Sequence, residues 1–95
     1  MTLVGRDMLA AFSKRHANSL KPLRSWASMV EAASWQSFQD IKQQFSSADV
    51  LSGNRVIFDI KGNKYRLITV VAYRHGIVQV LWIGTHAEYD KNTWD

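Results

Sequence analysis

The stretch NRVIFDIKGNKYRLITVVAYRHGIVQVLWIGTHAEYDK, residues 54–91, decides the fold of this chain. Apolar and polar residues alternate along its first part, which predicts a β-strand. Gly62 and Asn63 then form the dipeptide signal of a tight hairpin turn. With this turn at the centre, Asp59 lies opposite Arg66 on the neighbouring strand, which is a favourable cross-strand charge pair.

The residues that follow predict two further strands. One runs over residues 64–74, the chain turns at His75 and Gly76, and the next runs over residues 77–85. Because successive strands are joined by short turns, residues 55–86 are predicted to form an antiparallel meander.

Both faces of the predicted sheet carry apolar side chains. Helices can cover one face, and the other either forms an apolar strip for a protein partner or is covered by the C-terminal segment. The sequence leaves these two alternatives open. Simple alternation places Val71, Val80 and Trp82 on one face, and Ile57, Ile68, Val70, Leu81 and Ile83 on the other.

Three helices are predicted before the sheet, from apolar residues at helical spacing. They cover residues 7–16, 20–33 and 37–45, and Ser19 is the expected cap of the second helix. Residues 46–54 are rich in small polar residues and predict a loop. The large aromatic residues of this half are expected in the core rather than on a base-stacking surface: Trp26, Trp35, Phe38 and Phe45.

The composition narrows the class of protein. A chain of 95 residues is expected to form a single domain, 1–95, with helices over about 7–45, strands over about 55–86 and a C-terminal turn over 87–95. There is no cysteine, and no apolar run reaches the roughly 18 residues of a membrane span. The expected location is cytoplasmic. The net charge of +4 favours an acidic partner such as nucleic acid or an acidic protein.

His86 is the best candidate for proton transfer, because histidine gains and loses a proton near neutral pH. It follows the third predicted strand, where a side chain can reach solvent. If a helical turn begins here, Asp90 lies four residues on and can orient the imidazole, while Tyr89 can donate a proton or stack on a base. The alternative is that His86 caps local backbone and that the charged residues after it form a solvated turn.

Basic residues of the hairpin can hold a phosphate backbone. Lys64 and Arg66 share one face of a strand, and the alternative is a solvated hairpin with Arg66 tied to Asp59. Whether His86 lies on the face of Arg66 depends on the second turn, because a one-residue slip reverses the faces. The further candidates for RNA contact are Arg55, Lys61, Arg74 and Lys91.

Motifs for other chemistry are missing from the sequence. It has no P-loop, no dinucleotide-binding glycine pattern and no HExxH motif. His16, His75 and His86 do not have metal-ligand spacing. The sequence therefore predicts neither a metal site nor a cofactor.

Two long motifs resemble a known family. FDIKGNKYRL at residues 58–67, followed by GTHAEYDK at residues 84–91, resembles the HigB toxins of bacterial type II toxin–antitoxin systems. LAAFSKRH at residues 9–16 and LRSWASMVEAASWQSFQDIKQQF at residues 23–45 look like the helices of that family. The resemblance covers nearly the whole chain. It implies an α+β, RelE-like fold in which N-terminal helices pack on a small antiparallel sheet.

The resemblance also implies a function. RelE-like toxins are mRNA interferases, endoribonucleases that cleave message on the translating ribosome, usually without a metal. The implied partners are the ribosome, mRNA and a helix-turn-helix antitoxin that neutralises the toxin and represses the operon. Operator DNA is contacted only through the antitoxin complex, and no membrane is involved.

Catalytic roles are implied unevenly, because RelE-like toxins differ in their catalytic residues. The basic strand residues of the family correspond to Lys64 and Arg66, and its histidine and C-terminal tyrosine and aspartate correspond to His86, Tyr89 and Asp90. Two alternatives stay open. One is a non-catalytic module or degenerate toxin that only binds ribosome or antitoxin, and the other is a ribonuclease acting on naked RNA.

Overall fold

The computed structural model describes residues 1–94, and in this part of the chain a five-stranded mixed sheet packs against helices. The strands are β1 (Thr2–Val4), β2 (Asp49–Leu51), β3 (Arg55–Ile60), β4 (Tyr65–Ala72) and β5 (Ile77–Thr85). The α-helices are α1 (Arg6–Arg15), α2 (Leu20–Ala32), α3 (Phe38–Gln44) and α4 (His86–Asp90). The order of the strands in the sheet is β1-β5-β4-β3-β2.

The three predicted N-terminal helices are confirmed, each within one residue or so at either end. The predicted cap of α2 is wrong. Ser19 has helical backbone angles at the end of a short 3₁₀ turn, and its hydroxyl donates to the carbonyl of His16 at 2.7 Å. A serine that bonds backward in this way satisfies its own turn and leaves the start of α2 without a side-chain cap.

Two short strands were missed by the sequence prediction. β2 lies within the predicted loop, and β1 precedes all the helices. The predicted antiparallel meander is correct for β3 to β5, and β2 extends it by one antiparallel strand, but β1 runs parallel to β5. The expected arrangement of helices before sheet is therefore incomplete, since a strand comes first and α4 follows the sheet. Three-residue strands are too short to show alternation.

The hairpin between β3 and β4 has the predicted register, with Asp59 opposite Arg66. The strand pairing ends at Ile60 and Tyr65, one residue earlier than a two-residue loop requires. The turn therefore has four residues, and its first two, Lys61 and Gly62, have φ angles of 54° and 66°. Glycine adopts such angles without strain, whereas a lysine does so rarely.

A β-bulge on β5 changes the predicted sheet faces. Ile68 pairs with Trp82, but the next residue of β4, Thr69, pairs with Val80, so Leu81 is the extra residue. The assignment of Trp82 and Ile83 was therefore wrong. Beyond the bulge the faces are exchanged, and Ile83 joins the helix-covered face while Trp82 lies on the opposite face.

The main core lies between the helices and one face of the sheet. Trp26 and Trp35 are buried in it, and Phe38 and Phe45 pack against it, as expected from the sequence. The ring of Phe58 on β3 lies within 5.2–6.2 Å, between centroids, of three of these aromatic rings. The large apolar side chains of this core that are buried most completely are Phe12, Phe58, Ile41, Leu67, Val30, Val56, Val71 and Val78.

The opposite face of the sheet is covered in part by the C-terminal segment. Ile57 and Ile68 are buried there although they lie outside the main core. Trp94 folds back so that its ring centroid lies 4.9 Å from that of Trp82. Of the two alternatives for this face, the structure therefore supports coverage by the C-terminus. In place of the predicted turn over 87–95, the helix α4 begins at His86, and residue 95 lies outside the described residues.

None of the helices within residues 1–94 is both long and apolar enough to cross a membrane.

Candidate functional site

The helix α4 is fixed at its start by a reciprocal capping box. The hydroxyl of Thr85 accepts from the backbone N–H of Glu88 at 3.1 Å, and the Glu88 carboxylate accepts from the backbone N–H of Thr85 at 2.8 Å. The hydrogen bond from the backbone N–H of Thr85 is the main cause that lowers the pKa of Glu88 below its ordinary value, and a hydrogen bond with the Thr85 side chain is the second cause. This box sets the direction in which the side chains of α4 leave β5.

His86 is held at both ring nitrogens. Its Nδ1 lies 3.1 Å from Oδ2 of Asp90, one helical turn later, and its Nε2 lies 3.0 Å from Nη2 of Arg66. A guanidinium is only a donor, so a hydrogen bond from Arg66 requires an unprotonated Nε2. The proton of a neutral imidazole then sits on Nδ1 and is donated to Asp90. The histidine is thereby held in the form that can accept a proton at Nε2.

Arg66 connects this histidine to two further groups. Its Nε lies 3.0 Å from Oδ1 of Asp59 on β3, in an ion pair whose angles fall outside those of a hydrogen bond. Both side chains are mostly buried, with 23% and 16% of their surfaces exposed. The guanidinium carbon also lies 4.8 Å from the ring centroid of Tyr89, a cation–π distance. We call Asp59, Arg66, His86, Tyr89 and Asp90 the polar cluster.

Three aromatic rings lie beside the polar cluster. Tyr89 and Trp94 stack with their planes 12° apart and their centroids 5.4 Å apart, and Trp82 lies 6.3 Å from Tyr89. The indole N–H of Trp94 donates to the carbonyl of Tyr89 at 2.9 Å. We call Trp82, Tyr89 and Trp94 the aromatic cluster. It presents flat rings next to a cation and an imidazole, which is a surface suited to nucleobases.

Gly84 makes room for this arrangement. It pairs with Arg66 across β4 and β5, and the indole of Trp82 lies over it. A Cβ at Gly84 would be 2.5 Å from two carbons of that ring and 3.1 Å from a Glu88 oxygen. Glycine is thus required here for close approach rather than for an unusual φ angle.

The structure brings together four of the residues singled out from the sequence: Arg66, His86, Tyr89 and Asp90. The side chain of Lys64 is exposed in the hairpin turn, and its carbonyl accepts from the backbone N–H of His86 at 3.1 Å. Lys64 therefore lies next to the polar cluster, although no side-chain contact within residues 1–94 ties it there.

Two of the other predicted basic residues, Arg74 and Arg55, lie away from the polar cluster. Arg74 is exposed beyond the far end of β4, about 25 Å from Arg66 along the strand. Arg55 lies at the far end of β3, where it donates to the carbonyl of Ser52 at 2.9 Å. Lys61 and Lys91 are exposed, in the hairpin turn and just after α4. Arg74 and Arg55 therefore do not form one patch with Arg66.

Sequence reasoning missed three contributors to the site: Asp59, Trp82 and Trp94. The pairing of Asp59 with Arg66 was expected, but as an alternative to function rather than as support for it. Trp82 was assigned to the wrong face because the bulge was not foreseen. For Trp94 the signal was a large aromatic residue five positions after Tyr89 in a polar segment.

The described residues 1–94 contain no group of three or more His, Cys, Asp or Glu side chains that could hold a metal ion. What the polar cluster offers instead is an acceptor for a proton, a fixed cation and a phenol. These are groups that act in the transfer of a phosphoryl group between oxygens.

A family model described as HigB_toxin, the RelE-like toxic component of a toxin–antitoxin system, matches residues 19–92. The match spans β2 to β5, α2 to α4 and every residue of the polar cluster. No curated protein matches the chain significantly.

Proposed function

Since this chain belongs to the HigB family of RelE-like toxins, we propose that it is a ribosome-dependent endoribonuclease that cleaves mRNA and so inhibits translation. The observation that carries this proposal is the 3.0 Å contact between Nη2 of Arg66 and Nε2 of His86. It joins a permanent cation to a proton acceptor, which are two of the three groups that RNA cleavage by its own 2′-hydroxyl requires, the third being an acid for the leaving oxygen.

The proposed reaction needs no group outside the protein and the RNA. His86 takes the proton of the 2′-hydroxyl, and the resulting oxygen attacks the adjacent phosphorus. The bond from phosphorus to the 5′-oxygen breaks, and that oxygen takes a proton from an acid, for which protonated His86 and Tyr89 are the candidates. The products are a 2′,3′-cyclic phosphate, which can hydrolyse to a 3′-phosphate, and a 5′-hydroxyl.

Arg66 has two roles in this proposal. In the free protein it donates to Nε2 of His86 and so occupies the lone pair that the reaction needs. A phosphate bound at the polar cluster competes for the guanidinium, because a charged acceptor is bound more strongly than a neutral imidazole. Arg66 then turns to the phosphate. Its guanidinium neutralises the charge that develops on the phosphorane, and Nε2 of His86 is freed at the same time.

The remaining residues position these groups. Asp59 holds Arg66 on the sheet and Asp90 orients the imidazole through Nδ1. Lys64, at the tip of the hairpin, supplies a second cation to the phosphate, and the aromatic cluster stacks on a base. We further propose a helix-turn-helix protein as the antitoxin, which contacts operator DNA and brings the toxin with it. The ribosome as a target places the activity in the cytoplasm.

Primer extension in a reconstituted translation reaction tests the proposal, with the same RNA lacking ribosomes alongside. Wild-type protein should cut the message only when ribosomes translate it, and His86→Ala should reduce cutting by about 100-fold or more. The matched control is His75→Ala, an exposed histidine outside the polar cluster. If His86→Ala and Lys64→Ala both cut like the wild type, the assignment of these residues is wrong.

A second candidate is a non-catalytic toxin that only occupies the ribosome or its antitoxin. The observation in its favour is that Nε2 of His86 is already engaged by Arg66, so the polar cluster could be a purely structural network. Halted translation with uncut message would select this function. Cuts in naked RNA as well would instead indicate a general ribonuclease.

A further inference from the structure

The ring of Tyr89 is already stacked in the free protein. The indole of Trp94 lies with its plane 12° from that of the phenol ring, and the two centroids are 5.4 Å apart. A nucleobase stacks on an aromatic side chain in the same near-parallel arrangement. An indole also has the outline of a purine, because both join a six-membered ring to a five-membered one. Trp94 therefore occupies a place that a base stacked on Tyr89 would take, which we call the stacking position.

The other neighbours of Tyr89 are anchored in the sheet. The guanidinium carbon of Arg66 lies 4.8 Å from the centroid of the Tyr89 ring, and the centroid of the Trp82 ring lies 6.3 Å from it. Both side chains come from strands, and Arg66 is tied to β3 by its ion pair with Asp59. Trp94 belongs to no helix or strand, so it is the neighbour that can leave Tyr89 most readily.

The hydrogen bonds that hold Trp94 are few and local. Its indole N–H donates to the carbonyl of Tyr89 at 2.9 Å, and the side-chain amide of Asn92 donates to the carbonyl of Glu88 at 2.8 Å. The carbonyl of Tyr89 also accepts from the backbone N–H of Asn92 at 3.2 Å, so it keeps a partner when Trp94 leaves. Since the capping box fixes the start of α4, Trp94 can be released without unfolding that helix.

An RNA strand has an advantage over Trp94 in competing for the stacking position. A phosphate bound by Arg66 and Lys64 holds a neighbouring base close to Tyr89, which raises the effective concentration of that base. The indole has no charge and gains nothing from the two cations. The advantage is larger for a strand that is already held in place, because less conformational freedom is lost when its base stacks.

We propose that Trp94 closes the stacking position in the free protein and is displaced from it by a base of the substrate. This inference rests on the proposed nuclease function and describes how access to its site is regulated. Message held in place on the ribosome displaces Trp94 more readily than a flexible free strand does. The contact between Trp94 and Tyr89 thereby favours cleavage on the ribosome over cleavage of naked RNA.

Binding of a short RNA tests the proposal directly. The probe is a fluorescently labelled hexanucleotide with 2′-O-methyl groups, which cannot be cleaved because the attacking hydroxyl is blocked. Trp94→Ala should bind it about tenfold more tightly than the wild type, whereas Trp94→Phe keeps a ring on Tyr89 and should bind nearly like the wild type. In a Tyr89→Ala background, Trp94→Ala should have no effect. Met8→Ala, which removes an apolar side chain that is 37% exposed on α1, is the control and should bind like the wild type.

Two results of this titration would overturn the proposal. Weaker binding by Trp94→Ala would show that Trp94 is itself part of the surface on which bases stack. Unchanged binding would show that no base competes with it.

A second measurement does not depend on how the alanine variant folds. In the wild-type sequence labelled with 5-fluorotryptophan, the fluorine resonance of Trp94 is assigned from its loss in Trp94→Phe. It should move towards that of a solvent-exposed indole when the hexanucleotide binds. A resonance that keeps its position while the RNA binds would also overturn the proposal.

Cleavage assays separate this proposal from the nuclease function. On naked RNA, Trp94→Ala should raise cutting by about tenfold or more over the wild type, and on translating ribosomes by less than about threefold. If neither protein cuts RNA but Trp94→Ala binds the probe more tightly, the nuclease function is wrong and the role of Trp94 stands. If the wild type cuts on the ribosome and Trp94→Ala binds no more tightly, the reverse holds. Equal gains on naked RNA and on ribosomes would overturn the link between Trp94 and ribosome dependence.

Discussion

The two faces of the sheet differ in composition although they are built from the same strands. Towards the helices, β3, β4 and β5 present Val56, Phe58, Leu67, Val71 and Val78, all nearly or completely buried. On the other face the buried Ile57 and Ile68 lie beside polar and aromatic side chains. The same strands present Asp59, Arg66 and Trp82 there, which contact one another or α4. Successive residues of a strand point to opposite faces, so three strands can supply both a core and a polar cluster.

This difference separates stability from chemistry. A side chain of the helix-covered face contributes by displacing water, and its removal leaves a cavity. The polar and aromatic clusters are partly exposed, so their side chains contribute less to stability and can be changed one at a time. Mutations on the helix-covered face should therefore change mainly the free energy of unfolding, and mutations in the two clusters mainly the cleavage of message. The following changes test that separation.

The largest effect on stability is expected for Phe58→Ala. Its ring packs between aromatic rings of the helical half, and removing it should cost about 3–5 kcal/mol in urea denaturation. Tyr89→Ala, the matched change on the other face, should cost less than about 1.5 kcal/mol. Equal losses in the two variants would show that the two faces are not separate in stability.

Gly84→Ala should have the next largest effect. The new Cβ would meet the ring of Trp82 at 2.5 Å, so the indole must move, at a cost of about 1–3 kcal/mol. The same substitution made in a Trp82→Leu background should cost much less, because the clashing ring is gone. If Gly84→Ala costs the same in both backgrounds, the close approach of Trp82 does not explain the glycine.

Asp90→Asn should affect cleavage more than stability. Asp90 is exposed, and its pairing with Nδ1 of His86 has the strength of a surface ion pair, up to about 1 kcal/mol. The rate of message cleavage should therefore fall by about fivefold, with little change in the urea midpoint. Asp7→Asn, an exposed aspartate on α1, is the control and should change neither quantity.

The smallest effect is expected for Glu88→Gln, and it should depend on pH. The capping box lowers the pKa of Glu88 in the folded protein below its ordinary value of 4.5. The stabilisation is therefore present above that value and lost as the pH falls through the lowered pKa. At pH 7 the wild type should exceed the variant by about 1 kcal/mol or less, a typical value for a helix cap. A stability difference that widens below pH 4 would contradict this account.

The parts of the fold that were predicted from sequence depend on neighbours along the chain. The register that places Asp59 opposite Arg66 follows from one turn, and the approach of Asp90 to His86 follows from helical spacing. The extent of α2 follows from an apolar stripe that its own residues form. Local geometry fixes each of these features, so a short window of sequence contains the information.

The features that were missed depend on distant contacts. β1 is a strand only because it pairs with β5, about 75 residues later in the sequence. The contact of Arg66 with His86 requires both the hairpin register and the start of α4. The bulge at Leu81 has no local signature, because an extra residue in one strand is defined by the strand it pairs with.

Leu81 also bears on how this chain should be compared with its relatives. Adding or removing one residue before Trp82 moves every residue from Trp82 to the end of β5 to the opposite face of the sheet. A relative without the extra residue would align with this chain across β5 only if a one-residue gap is opened there. An alignment that omits the gap would match the tryptophan beside the polar cluster with a core position of the relative. It would then report a substitution where the two chains differ in length.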